Sequence, residues 1–547
     1  MSPSQHRGVV VARNGMVAAS QPLAVSAGLR TLQDGGTFVD AAISVSSVLA
    51  VTEPYASHLG GDAFVIVYEA ATGTTTAYNA SGAAPALATQ ERFGTDGIPV
   101  RGIGAASVPG LVDCWFELHA RHGTIPIKSL LNTAINYAET GFPAGYRHTR
   151  VFKDNQSLLE GFPETATALQ GGYAFSDIKP GRTVVQPDLA WSLKQIADNG
   201  RNAFYAGEIT DRILAYSSAN GGLFAASDFA NHRTQVQDPI KSSYRGHTVH
   251  AQPPVSQGHI LLQQLNLVEG FDMKRFGHNS ANAIHVQVEA KKLAFADREA
   301  YLGDPLFVDV PMETMLSKRY AAGRRSKISL DEANNRVQAG SIDHDTTYFC
   351  VVDREGNAIS FIQSIFWVFG SSAVAEGTGI LFNNRMTGFS LDPASPNYLQ
   401  PGKRTAHTLN AYLVTTNDGQ RENLAFVGGT PGGDIQVQSN LQVICNVIDF
   451  NMNPQEAIEA PRWQHGGAVG APGETAAEVL AIETRDAADA PGYEAQVTAE
   501  LTNRGHNVTS LGPWGHGSSY QLIAIEKRSG TMLGGSDPRC DGQAAGF

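Results

Sequence analysis

The sequence predicts an α+β protein in which sheets pack on one another and are covered by helices. Three observations carry this. After Asp40, the run Ala41, Ala42, Ile43, Val45, Val48 and Leu49 is a nearly all-apolar helix that must be buried on most sides. Thr347 to Asp353 and Ala358 to Ile362 read as strands joined by Arg354-Glu355-Gly356-Asn357, a hairpin-type turn. Finally, 57 of 547 residues are Gly and only 17% are charged, which suits a large core with tight turns and close backbone approaches.

The elements follow in order. Residues 8–18 read as a strand that turns at Asn14-Gly15, and Gln21 to Gln33 as a helix stopped by Gly35-Gly36. The apolar helix ends at Glu53-Pro54. Gly60-Gly61 then feed the apolar strand Ala63 to Tyr68, and a Gly pair there suits a backbone that must approach something very closely. From about 125 to 305 the pattern is mostly helical, with loops at Gly171-Gly172 and Pro253-Pro254. The clearest helix, Ala283 to Leu302, reads as amphipathic and ends at Gly303-Asp304-Pro305. Residues 306–340 are charged and read as a surface segment. Further strands are expected at 379–382, 408–414 and 423–427, and a helix at 436–449.

Composition excludes several classes. The net charge is −12 with no long basic run, so the electrostatic footprint of a nucleic-acid binder is missing. Cys114, Cys350, Cys445 and Cys540 lie far apart and read as buried or free thiols of a reducing compartment. The 16 histidines form no H-E-x-x-H set, so no metal site is expected. No apolar run reaches 18 residues, and the first residues lack a basic stretch followed by an apolar one. A soluble cytoplasmic protein without membrane or nucleic-acid partners and without a cofactor is expected.

No G-x-S-x-G elbow, P-loop or dinucleotide-binding turn is present. One constellation stands out: Thr346-Thr347 at the entry of a strand, then Asn383-Asn384, Lys403-Arg404 and Gly432-Gly433. A Thr hydroxyl becomes a nucleophile when its own free α-amino group acts as base. That amine has a pKa of about 7.7–8.0, so a useful share is neutral near pH 7. Thr346 is internal, so the chain would first have to cut itself: its hydroxyl attacks the preceding carbonyl, and water opens the resulting ester. The Gly pair would hold the oxyanion. Taken alone, a Thr-Thr pair is weak, since Thr is common at strand starts.

Together with Thr52-Glu53-Pro54, Leu59-Gly60-Gly61, Ser107-Val108-Pro109-Gly110, Ala296-Asp297-Arg298, Tyr301 to Pro305, Ala460-Pro461-Arg462 and Ser536 to Arg539, these segments resemble the γ-glutamyltranspeptidase family of N-terminal nucleophile hydrolases over nearly the whole chain. The resemblance implies a four-layer αββα sandwich. It also implies self-cleavage into a large part, 1–345, and a small part, 346–547, with amide hydrolysis or acyl transfer through an acyl-enzyme. It makes Thr346 the nucleophile, Ser364 a hydroxyl that hydrogen-bonds it, and Gly432 and Gly433 the oxyanion pair. A homo-oligomer of the two-fragment unit stays open.

The substrate pocket departs from the family. Ser81 stands where an Arg is expected, Phe366 where an Asn is, and His407-Thr408 where a Ser pair is. Arg385 and Gly388 replace contacts to the substrate ammonium. An ammonium would be repelled by Arg385 and finds no acceptor on Phe366. Arg385 presents a planar fork suited to a carboxylate, to which His407 and Thr408 can add donors. The expectation is a Thr amidohydrolase acting on a small carboxylate-bearing amide. The alternatives are a true γ-glutamyl hydrolase or transferase acting on glutathione or γ-glutamyl amides, and a non-catalytic paralogue.

Overall fold

A computed structural model describes residues 6–171, 174, 177–334, 346–466, 479–486 and 491–547. Two seven-stranded sheets dominate it. One runs in the order Gln543–Gly546, Gly15–Ala19, Thr347–Asp353, Ala358–Ser364, Asp62–Glu69, Thr74–Asn79, Gln235–Gln237. The other runs Val10–Ala12, Met532–Ser536, Gln521–Ile525, Glu422–Gly429, Tyr412–Asn417, His247–Ala251, Ile240–Tyr244. Every pairing within both sheets is antiparallel.

The period-two alternation of a strand explains the layers. On Thr347–Asp353, Tyr348, Cys350 and Val352 join Phe64, Ile66, Leu413, Val427 and Ile523 in the core between the sheets. Phe349 and Val351 point the other way, into a core built with the helices Pro22–Gln33, Phe38–Thr52 and Ile127–Thr140. The outer face of the second sheet packs Val249, Tyr412 and Phe426 against the helices Gly258–Val268, Ala281–Tyr301 and Gln436–Ile448. The result is the expected αββα sandwich. Each sheet takes strands from both sides of residue 345, so the two stretches 1–345 and 346–547 are interleaved throughout.

Three expectations change. The Ala281–Tyr301 helix is buried on almost every side, not amphipathic, because it is covered both by the sheet-facing core and by a small core around Trp463 and Leu480. Gln235–Gln237, Ile240–Tyr244 and His247–Ala251 are strands inside the region read as helical, short enough to be masked by the helices around them. The strand expected from 408 begins at Tyr412, which leaves Thr408 in the segment before it. The Gly60-Gly61 expectation holds: a Cβ on Gly60 would collide with the Leu381 carbonyl, and one on Gly61 with that of Ser364.

Candidate active site

Thr347 pairs with Gln363 in the hairpin register. One step back, that register sets Thr346 opposite Ser364, which is why residues eighteen positions apart meet. The buried Thr346 hydroxyl donates to Ser364 Oγ at 3.2 Å. Ser364 Oγ also accepts the Phe366 N–H at 2.8 Å. The two adjacent threonines are separated by the pleat. Thr346 lies on the inter-sheet side, whereas Thr347 shares a 2.7 Å hydrogen bond with Ser20, whose hydroxyl donates to Glu53 at 2.8 Å. Asp345, and with it the junction expected to be cut, lies outside the described residues.

The glycine turn comes from the facing sheet. Glu422–Gly429 ends against the Tyr348 ring, two residues from Thr346. The chain then passes through Gly432 at φ +120° and Gly433 at φ +52°. Both angles lie where a side chain is strained, so glycine is required at each.

The next strand brings in a residue that sequence reasoning missed. Asp62 pairs with Ser364 in register and shares its face of the sheet. At a strand spacing of about 4.8 Å, it lies roughly 10 Å from Thr346. Asp62 receives Arg385 Nε at 3.1 Å, Arg385 Nη2 at 3.2 Å and His407 Nε2 at 2.8 Å. All three side chains are essentially buried. Burial pushes Asp62 upward, but Arg385 and His407 outweigh it and hold the carboxylate below its usual range. Burial, with Arg385 alongside, lowers His407 to about 4, so the imidazole is neutral at pH 7. Its Nδ1 accepts the Leu409 N–H at 3.3 Å, which fixes the proton on Nε2, facing Asp62.

The expected pocket residues therefore differ in what they offer. His407 has both ring nitrogens engaged. Arg385 turns two nitrogens to Asp62, while the Phe366 ring lies 4.0 Å from its Cζ. Arg385 Nη1 and Thr408 Oγ1 are buried with no hydrogen-bond partner among the described residues. Ser81 is turned away: its hydroxyl donates to Asn79 at 2.6 Å. Arg404 Nε donates to the Ser81 carbonyl at 2.9 Å. Only a charge count could have found Asp62, since a buried Arg needs a counter-charge and the sequence does not say which.

A family model described as Gamma-glutamyltranspeptidase matches residues 24–547. The chain belongs to that family. The glutathione hydrolase-like YwrD proenzyme of Bacillus subtilis (strain 168) is 37% identical over 98% of this chain and 99% of its own length. The acylase ACY 1 proenzyme of Pseudomonas sp. (strain SE83) is 37% identical over 83% of each chain. Among solved structures, the cephalosporin acylase from Bacillus halodurans superposes with a TM-score of 0.88 at 35% identity, over 99% of this chain and 97% of that one. As a γ-glutamyltranspeptidase family member, this protein is an enzyme of the N-terminal nucleophile hydrolase type, and a non-catalytic role is set aside.

One further cluster lies outside the site. Ligand atoms of His285, Glu289 and His506 fall within 4.8 Å of one another. Within it, Lys292 pairs with Glu289 at 2.8 Å, and the two imidazoles hydrogen-bond at 2.8 Å. No helix among the described residues is long and apolar enough to cross a membrane.

Proposed function

We propose that this family member is an autoprocessed threonine amidohydrolase that cleaves amides of a carboxylate-bearing acyl group. Thr346 attacks the carbonyl of residue 345, the peptide nitrogen leaves as the new α-amine, and water hydrolyses the ester. The freed amine then takes the proton of the Thr346 hydroxyl as that oxygen attacks the substrate amide. Ser364 orients the hydroxyl, and the Gly432-Gly433 turn meets the charge that develops on the carbonyl oxygen. The leaving amine departs protonated, and water releases the acid.

The observation that supports the acyl preference is Arg385 Nη1, a buried donor with no partner among the described residues; Thr408 Oγ1, next in sequence to the His407 that shares Asp62 with Arg385, is a second such donor. Unmet donors in a buried site favour an anionic acceptor. The α-ammonium of a γ-glutamyl group would meet a guanidinium and a phenyl ring there. The nearby carboxylate, Asp62, already receives three N–H groups. The glutathione hydrolase-like and acylase names of the relatives bracket these two substrate classes.

The test has two parts. Mass analysis of active protein should find two polypeptides, 1–345 and 346–547, and Thr346→Ala should remain whole. The p-nitroanilide of glutaric acid should turn over at least tenfold faster in kcat/KM than its γ-glutamyl counterpart. Intact active protein would overturn the nucleophile; the reverse preference would overturn the acyl assignment.

A further inference from the structure

One glutamine touches both halves of the proposed machinery. Gln257 Nε2 donates to the Gly433 carbonyl at 3.1 Å and to the Thr408 carbonyl at 2.7 Å. Its backbone N–H donates to the His407 carbonyl at 3.1 Å. Gln257 is essentially buried. Its remaining side-chain atom, Oε1, accepts from Arg298 Nη1 at 3.3 Å. The same guanidinium grips the next residue of the glycine turn: Nη1 meets Asp434 Oδ1 at 2.5 Å and Nη2 meets Oδ2 at 3.3 Å. Arg298 projects from the long Ala281–Tyr301 helix and lies over the Phe295 ring with its Cζ 4.3 Å from the centroid. Arg298 and Asp434 thus form a fork-to-carboxylate pair, the geometry that holds a group most rigidly.

We infer that Gln257 and Arg298 are positioning residues that hold the Gly432-Gly433 turn in register with the His407-Thr408 segment. This rests on the reading of that turn as the oxyanion site. The turn has no regular secondary structure before Gly433, and its two positive φ angles admit many other conformations to glycine. Its orientation therefore depends on what its carbonyl and the following carboxylate are tied to. The ties come from residues 257 and 298, on the far side of the proposed cut from the turn itself. A displacement of about 1 Å at such a turn is enough to cost a hundredfold in rate.

The test uses the full-length protein, checked for its two fragments, with the p-nitroanilide of glutaric acid. Gln257→Leu should lower kcat by roughly 10²-fold while moving KM less than about threefold, because the lost tie acts on the transition-state oxygen. Gln257→Glu keeps the shape and replaces the donor with an acceptor, so it should show the same loss if Gln257→Leu folds poorly. Arg298→Ala should lower kcat similarly, with Arg298→Lys intermediate. The Gln257→Leu/Arg298→Ala double variant should be no worse than the poorer single, since both act through one turn.

A merely structural role predicts falling melting midpoints that add, with kcat unchanged in the folded fraction. That outcome overturns the inference, as does a double variant whose kcat losses multiply. Wild-type protein that is unsplit and inert would overturn the functional reading, and this inference with it. Split, active wild type with equally fast variants would overturn this inference alone.

Discussion

Asp62 stands directly across from Ser364 on the neighbouring strand, so the hydroxyl that accepts from Thr346 and the carboxylate that pairs with Arg385 share one face of one sheet. In the proposed reading, the nucleophile, the hydroxyl it bonds and the carboxylate that pairs with Arg385 are therefore carried at one level on three adjacent strands.

Removing the Asp62 charge should be severe. Asp62→Asn leaves a buried guanidinium uncompensated and should cost about 3–5 kcal/mol in urea unfolding. Asp62→Asn combined with Arg385→Met should recover part of that loss, because no charge is then left behind. A single-variant loss under about 1 kcal/mol would show that the pair does not clamp these strands.

Ser364→Ala removes the acceptor for both the Thr346 hydroxyl and the Phe366 N–H. We expect kcat to fall on the order of 10²-fold from misplacement of the nucleophile, with little change in KM. Ser364→Thr keeps the oxygen and should restore most of the rate. An alanine variant with wild-type kcat would remove Ser364 from the mechanism.

Thr408→Val separates recognition from stability. The hydroxyl has no partner among the described residues, so the isosteric change should leave the urea midpoint unchanged or raise it. KM for the glutaric anilide should nevertheless rise about tenfold, while an uncharged acyl anilide should be unaffected. An equal effect on both substrates would assign Thr408 to general packing.

Acid should destabilise the fold over a defined window. Burial lowers His58, His259 and His516 to about 3 and His407 to about 4. Their folded-state values lie below the unfolded value of about 6.5, so the unfolded chain binds protons that the folded chain refuses. The stability they contribute is therefore present above pH 6.5, declines as pH falls below about 6.5, and levels off at about 4 for His407 and at about 3 for His58, His259 and His516. Each should contribute a slope of about 1.4 kcal/mol per pH unit, readable from urea unfolding at successive pH values. A flat profile between pH 6 and 4.5 would mean that these imidazoles are accessible to protons in the fold.

Much of this was legible in the sequence. The Thr347–Asp353 hairpin carried its register in the length of its turn, and Gly60-Gly61 advertised a close approach that the Leu381 and Ser364 carbonyls make real. Arg385 and His407 meet on Asp62, but which of their nitrogens stay available is not readable from the sequence. Spacing says which side chains gather, whereas pairing depends on a strand contributed from more than 300 residues away. The helix at Ala281–Tyr301 misled for a related reason: it is packed from two directions, and its Lys and Glu residues find partners inside the protein.

The interleaving of strands from either side of residue 345 has a mechanical result. A break before Thr346 would free a chain end without loosening the scaffold, because neither piece owns a complete sheet. The severed protein should travel as one particle under native conditions and come apart only when both sheets melt. Each piece made alone would leave unpaired strand edges, so the pair has to be born joined.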